Sequence, residues 1–267
     1  MVDFRYVNRT TDRDSRHDRA RARVYWANIC LLCGVETCIS IHLASSYTYT
    51  AGAYFLMGLS LHNLNKQGEQ MSNMWSVMSG KMEGIPALNT SPLTNNYCKS
   101  QAEKEDSICS ECYSIRMLLT FRKNAVPKFE LNTKILSSRL LEAHELPPPA
   151  GLVARFNGHG ELKNSIHFRN ILKMARLYPK VTFTLWSKRK RLVQRNLKQY
   201  GKPRNLILVY SNSKTDTVMD YVPTGFDKVF NVVRQDRDDV NCHKKCIECL
   251  MCYDVKNKTE QIIERIK

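Results

Sequence analysis

The sequence contains few of the residues that break or disorder a chain. Glycine occupies 11 and proline 9 of its 267 positions, whereas hydrophobic residues make up 43%. This composition excludes a collagen-like chain and wholesale disorder, and it supplies enough apolar material for a real core. The length fits one large α/β domain with an attachment, or two domains of modest size.

Several common motifs are missing as well. The sequence has no P-loop, no dinucleotide-binding glycine fingerprint and no visible serine–histidine–acid arrangement. It also lacks an uninterrupted apolar run of about 18 residues, the length that a membrane-spanning helix needs. Without a convincing signal peptide, we expect a cytoplasmic protein with no membrane span, in which thiols stay reduced.

The first 70 residues differ in character from the rest of the chain. Residues 1–23 are rich in Arg and Asp and show no periodicity, whereas residues 24–64 are mostly apolar. We expect residues 1–70 to form an N-terminal extension that is either disordered or upstream of the natural start. Residues 71–267 are then the main domain.

Short β-rich runs alternate with helical patterns along this domain. Strands are predicted at residues 152–156, 181–186, 205–210 and 228–233. Helices are predicted between the first three of these strands, and one more is predicted earlier through Leu136, Leu140 and Ala143. Such alternation favours parallel pairing, and therefore an α/β sheet or barrel.

Polar, loop-forming residues follow the predicted strands at three places. They are residues 157–161, the pair Ser187 and Lys188, and residues 211–213. Because parallel α/β folds bind ligands at the carboxyl ends of their strands, we expect these residues to form a ligand rim.

The ten cysteines include a first tight group, Cys98, Cys109 and Cys112, with the spacing C-x10-C-x2-C. Three thiolates are one fewer than a closed structural zinc site requires. An iron–sulfur cluster held by three cysteines would instead keep one iron free for another ligand.

The second group, Cys242, Cys246, Cys249 and Cys252, has the spacing C-x3-C-x2-C-x2-C. All-thiolate ligation favours zinc or an iron–sulfur cluster, and the spacing alone leaves that choice open. Both groups are predicted metal ligands, with zinc as the alternative at the second.

A set of short motifs carries a family resemblance. In chain order it comprises Cys98, Cys109, Cys112 and Tyr113; Arg155 and Phe156; Gly160 and Glu161; Tyr178 and Pro179; Phe183 and Thr184; Ser187 and Lys188; and the second cysteine group. Over residues 80–254 the chain resembles the phage Gene product 88 family, which is similar in turn to radical S-adenosylmethionine (radical-SAM) proteins with a partial (β/α) barrel.

The resemblance implies a fold and a cofactor. The fold would be the partial barrel, and the first cysteine group would hold a 4Fe–4S cluster whose open iron chelates S-adenosylmethionine. Gly160 and Glu161 would contact the methionine amino group, and Ser187 and Lys188 are further candidates for cofactor binding. The x10 spacing departs from the x3 that is usual for radical-SAM proteins. A phage-infected bacterial host would be the setting, and the substrate is left unassigned.

The strong basic excess suggests a polyanionic partner. Lys plus Arg number 41 against 25 acidic residues, a formal net charge of +16. Residues 188–204 contain several Lys and Arg and no acid, so they could form a basic stripe that contacts nucleic acid. A non-catalytic, zinc-stabilised nucleic-acid-binding protein is therefore the alternative to a radical-SAM-like enzyme.

Overall fold

The computed structural model of the protein describes residues 74–235 and 237–266, so the predicted extension at residues 1–70 lies outside the described residues. Seven strands are present in this part of the chain. They are β1 (Trp75–Ser76), β2 (Ala87–Leu88), β3 (Val153–Phe156), β4 (Thr182–Ser187), β5 (Leu206–Thr215), β6 (Lys228–Val233) and β7 (Gln261–Arg265).

Six α-helices accompany the strands over the same described ranges. They are α1 (Asn96–Ala102), α2 (Tyr113–Leu119), α3 (Val126–Ser138), α4 (Ser165–Leu177), α5 (Lys190–Tyr200) and the single turn α6 (Cys246–Cys249). None of these helices has the length and apolarity required to cross a lipid bilayer.

The strands form one sheet in the order of the chain, from β1 to β7. Strand β1 pairs antiparallel with β2, and every later neighbour is parallel. Because each crossover moves one strand further in the same direction, the winding does not reverse as it does in a doubly wound fold. The predicted α/β class is confirmed, but the sheet is open and a radical-SAM-type barrel is not confirmed.

Both faces of the sheet are covered. On β5, Leu206 and Leu208 pack into a cluster with the helices, whereas Ile207 and Val209 pack into a second cluster with Tyr253. Alternate residues of a strand point to opposite faces, so an apolar run without polar breaks is what a doubly covered strand requires. The face that carries the second cluster is called here the second face.

Two predicted boundaries were wrong. Helix α3 ends at Ser138, so Leu140 and Ala143 lie beyond it. The Asn170 side chain donates to the carbonyls of Leu136 and Arg139 at 2.9 and 2.8 Å, which satisfies the end of the helix there. Strand β5 runs to Thr215, so residues 211–213 belong to a strand whose register with β6 shifts between Ser211 and Thr215.

The core predicts a sharp contrast between two substitutions. Phe183 has no exposed surface and stacks on Phe156 with ring centroids 5.1 Å apart, whereas Leu152 is 74% exposed. We expect Phe183→Ala to lower the free energy of unfolding by about 3–5 kcal/mol and Leu152→Ala to change it by less than about 0.5 kcal/mol. Urea denaturation measures both values, and similar losses would contradict this packing.

Candidate functional site

The carboxyl ends of the parallel strands open onto a cavity of about 450 Å³. The cavity is lined by residues 157–161 after β3, Lys188 after β4 and Ser211 within β5, and also by Arg155, Trp186 and Phe230. Most of the predicted rim lines this cavity, whereas Ser187, Asn212 and Ser213 are not among its lining residues. The cavity volume lies within the range of small-molecule binding sites.

Six of the seven predicted ligand cysteines line this same cavity. They are Cys98, Cys109, Cys112, Cys242, Cys246 and Cys252. Cys249 is half-buried and is not among the cavity-lining residues. Two cysteine groups that are far apart in sequence thus share one cavity, which the spacing of either group did not predict.

The long gap in the first group has a structural explanation. Cys98 lies in the first turn of α1, and Cys112 is the N-cap residue of α2. Between them, the Ile108 amide donates to the Ser213 carbonyl at 2.7 Å, which ties the loop to β5. The x10 segment therefore crosses to another strand and returns Cys109 to the cavity.

A buried asparagine fastens α1 to the loop after β3. The Asn95 side chain accepts from the Tyr97 amide and donates to the Glu161 carbonyl at 2.9 Å. The position of Cys98 is consequently coupled to that of Glu161. Burial raises the pKa of the Cys98 thiol, and the nearby Glu161, Cys112 and Cys109 raise it further.

The loop after β3 requires glycine at position 160. Gly160 has φ +84°, and a Cβ atom there would overlap the Thr90 carbonyl. The loop is fixed from the other side by the His159 amide, which donates to Asn89 Oδ1 at 2.8 Å. This tight approach of backbone to backbone sets the direction of Glu161.

Both carboxylate oxygens of Glu161 are held by the end of β4 and its own loop. Oε1 accepts from Ser187 Oγ at 2.8 Å and from the Leu162 amide at 2.7 Å, and Oε2 accepts from the Lys188 amide at 2.7 Å. Burial raises the pKa of Glu161, while these hydrogen bonds lower it. Ser187 does not line the cavity and instead positions Glu161.

Lys188 is a cavity residue and not part of a surface stripe. Its ammonium donates to Ser211 Oγ at 2.6 Å and to the Asn212 carbonyl at 3.3 Å. Burial lowers the pKa of Lys188, whereas Cys109 and Glu161 raise it. The predicted basic stripe at residues 188–204 is thus interrupted at its first residue, and Lys202 within it is paired with Asp227.

The second cysteine group covers the second face of the sheet. Its segment is attached through the Cys242 amide, which donates to the Ile263 carbonyl at 3.0 Å, and through Lys81, which donates to the Cys242 carbonyl at 2.7 Å. Cys252 is buried in the apolar cluster of that face. Burial raises the pKa of the Cys252 thiol to about 12.

The seven cysteines of residues 74–235 and 237–266 are free thiols. Within those residues, no three His, Cys, Asp or Glu side chains converge closely enough to hold a metal ion as they stand. The cysteines therefore surround the cavity without forming a ready-made single-ion site.

Two residues of the site, Arg155 and His159, have surroundings that the sequence did not predict. Arg155 lies on a short strand, where alternation alone cannot tell which face meets a cavity. His159 is buried, and its Nδ1 lies 2.8 Å from Ser114 Oγ. Arg155 belongs to a motif of the family resemblance, and His159 belongs to the predicted polar loop. The sequence predicted neither the direction of the Arg155 side chain nor the burial of His159.

Similarity to a known family extends over most of the chain. The family model described as Gene product 88 matches residues 57–261. The chain belongs to the Gene product 88 family. The match begins upstream of Met71 and extends beyond residue 254, so the family domain is wider than the motifs that indicated it. No curated protein and no solved structure matches the chain.

In this member of the Gene product 88 family, glycine substitution separates crowding from backbone strain. Gly160→Ala meets the Thr90 carbonyl, whereas Gly201→Ala, also at positive φ, meets nothing within 4 Å. Both variants carry the strain of φ > 0, and we expect Gly160→Ala to lose about 1–3 kcal/mol more, the usual cost of overpacking. Urea denaturation of the two variants measures the difference, and equal stability would contradict the loop geometry.

The buried His159 predicts a dependence of stability on pH. Burial, together with the nearby Arg122 and Arg155, lowers the pKa of His159 from 6.5 to about 4. The unfolded chain binds a proton between those values and the folded chain does not, so the free energy of unfolding falls as the pH drops through this window.

Substitution of His159 should remove this contribution. Between pH ~7 and pH ~4.5 we expect His159→Gln to lose about 2–3 kcal/mol less stability than the wild type. His144→Gln, at an exposed position, is the matched control and should follow the wild type. The measurement is urea denaturation at both pH values. An equal loss of unfolding free energy in His159→Gln and wild type would refute the buried, neutral imidazole.

Proposed function

We propose that this protein binds an iron–sulfur cluster through Cys98, Cys109 and Cys112 and acts as a radical-SAM-like enzyme. One observation carries the proposal: the three cysteines line a single cavity at the carboxyl ends of parallel strands. Enzymes with parallel α/β sheets place their ligands at this edge.

The order of the strands supports the same proposal. The six parallel strands β2 to β7 follow one another without reversal, as they would in a partial (β/α) barrel. The cysteine loop follows the first of them, and the Gly160–Glu161 segment follows the second. This order agrees with the resemblance to radical-SAM proteins, whose glycine- and glutamate-containing segment also follows a strand.

Thiolates are common ligands of both iron–sulfur clusters and zinc. The first group has one thiol fewer than a closed structural zinc site requires, whereas a 4Fe–4S cluster held by three cysteines keeps one iron open for S-adenosylmethionine. The second group is proposed as an auxiliary cluster, with zinc as the alternative there.

The residues around the first group have separate tasks in this proposal. When bound, the cluster would supply the electron for reductive cleavage of S-adenosylmethionine, chemistry that belongs to the cofactor. Glu161, with its carboxylate fixed in direction, would accept a hydrogen bond from the amino group of that molecule. Lys188 would set a positive charge beside thiolates and so offset part of their negative charge.

Iron analysis of anaerobically purified protein tests the cluster directly. We expect a brown protein that contains iron, and we expect Cys109→Ser to lose the share of iron held by the first group. Cys249→Ser is the internal comparison, because its side chain is outside the cavity wall and the first group should keep its iron in this variant. Zinc alone after reconstitution with iron and sulfide, or equal iron in Cys109→Ser and wild type, would refute the proposal.

Glu161 provides a test that leaves the thiolates unchanged. In Glu161→Gln we expect the iron content of the wild type but about tenfold or more weaker binding of S-adenosylmethionine, because a charge-assisted hydrogen bond is lost. Equilibrium dialysis with labelled S-adenosylmethionine measures it. Unchanged affinity in a variant that keeps its iron would remove Glu161 from the binding site.

A further inference from the structure

We propose that Arg155 is an anion-binding residue of the cavity and receives a carboxylate or phosphate group of the substrate. The inference rests on the proposed function, because it names the charge class of the molecule that enters the same cavity. It adds a residue for which the family resemblance implies no role.

Arg155 is placed in the cavity by the sheet itself. It lies on β3, where Ala154 and Phe156 point to the helix-covered face, and alternation turns Arg155 to the second face. Its guanidinium carbon stands 3.7 Å from the centre of the Trp186 ring, a cation–π distance. The stacking holds the guanidinium plane in place while its edge remains available.

The hydrogen-bonding capacity of Arg155 is largely unused. Nη1 contacts Met82 Sδ at 3.2 Å, a weak acceptor, and Nε is buried without a hydrogen-bond partner. Across residues 74–235 and 237–266, no carboxylate forms an ion pair with Arg155. The Tyr253 hydroxyl is a neutral polar neighbour of the guanidinium and supplies no opposite charge.

An unpaired guanidinium in a concave site is costly unless a ligand compensates it. Arginine stays protonated in proteins, so loss of the proton cannot relieve the withdrawal of its charge from water. Arg155 is half-buried, and a partly buried charge without an opposite charge beside it is unfavourable. The planar fork of donors matches a carboxylate or a phosphate in two-point contact. An oxyanion of either kind would satisfy the free donors.

The charges around the cavity agree with an anionic ligand. Lys188 and Arg122 also line its wall, and the lining Lys81 and Glu264 pair with each other. The other lining carboxylate, Glu161, accepts from the Ser187 hydroxyl and the Lys188 backbone amide. Four lysines and arginines line the cavity against two glutamates, so the balance of these side chains is positive.

The test is a titration of purified protein with inorganic phosphate and with succinate, each compared with chloride at equal ionic strength. Tryptophan fluorescence is the readout, because Trp186 lies against Arg155; Trp186→Phe should abolish the signal. We expect a saturable change in the wild type and about tenfold or more weaker binding in Arg155→Gln. The probe that saturates identifies a phosphate or a carboxylate as the ligand group.

Two variants control for folding and for general charge. Arg155→Lys keeps the positive charge without the planar fork and should bind with intermediate affinity. Arg195→Gln removes an exposed charge on α5 and should bind as the wild type does. No saturable signal in the wild type, or equal affinity in wild type and Arg155→Gln, would overturn the inference.

Iron content measured on the same samples separates this inference from the proposed function. Anion binding that depends on Arg155 in a protein that cannot take up iron would refute the cluster and retain the anion site. Iron uptake without anion binding would refute the anion site and retain the cluster. Loss of iron in Arg155→Gln, with no anion binding in the wild type, would make Arg155 a counter-charge for the thiolates and overturn the inference.

Discussion

The arrangement of this protein depends on parallel pairing of strands in the order of the chain. Because β2 to β7 all run in one direction, the segments that follow them meet at one edge of the sheet. The cysteine loop, the glycine–glutamate segment, Lys188 and the second cysteine group all belong to those segments. A cavity lined by residues from positions 78 to 264 is a direct consequence of this topology.

Burial gives the cavity its chemical character. Glu161, Lys188 and His159 are ionisable groups withdrawn from water, and each has a pKa displaced in the direction that disfavours its charged form. Specific hydrogen bonds partly offset the effect of burial for Glu161, whereas Arg155 stacks on Trp186 and pairs with no carboxylate of the described residues. A displaced pKa beside a cavity is typical of functional sites, and here several occur together.

The sequence was sufficient to predict the central strands and helices, but not the short strands at the edge of the sheet or the exact ends of elements. Strands β3 to β6 and helices α4 and α5 have strong hydrophobic periodicity, so their existence and order were predicted. Strands β1 and β2 have two residues each, which leaves no periodicity to detect. Helix α3 ends early because Asn170, a residue distant in sequence, satisfies its last carbonyls. Cysteine spacing identified two groups, but only tertiary structure brings them to one cavity and turns Lys188 inward.

Electron paramagnetic resonance of the anaerobically reduced protein tests the central claim most directly. If Cys98, Cys109 and Cys112 hold a cluster with one open iron, the reduced protein will give an iron–sulfur signal that changes when S-adenosylmethionine is added. The signal assigned to this cluster should be missing in Cys112→Ser. A reconstituted protein with no iron–sulfur signal, or with one that S-adenosylmethionine leaves unchanged, would contradict the account.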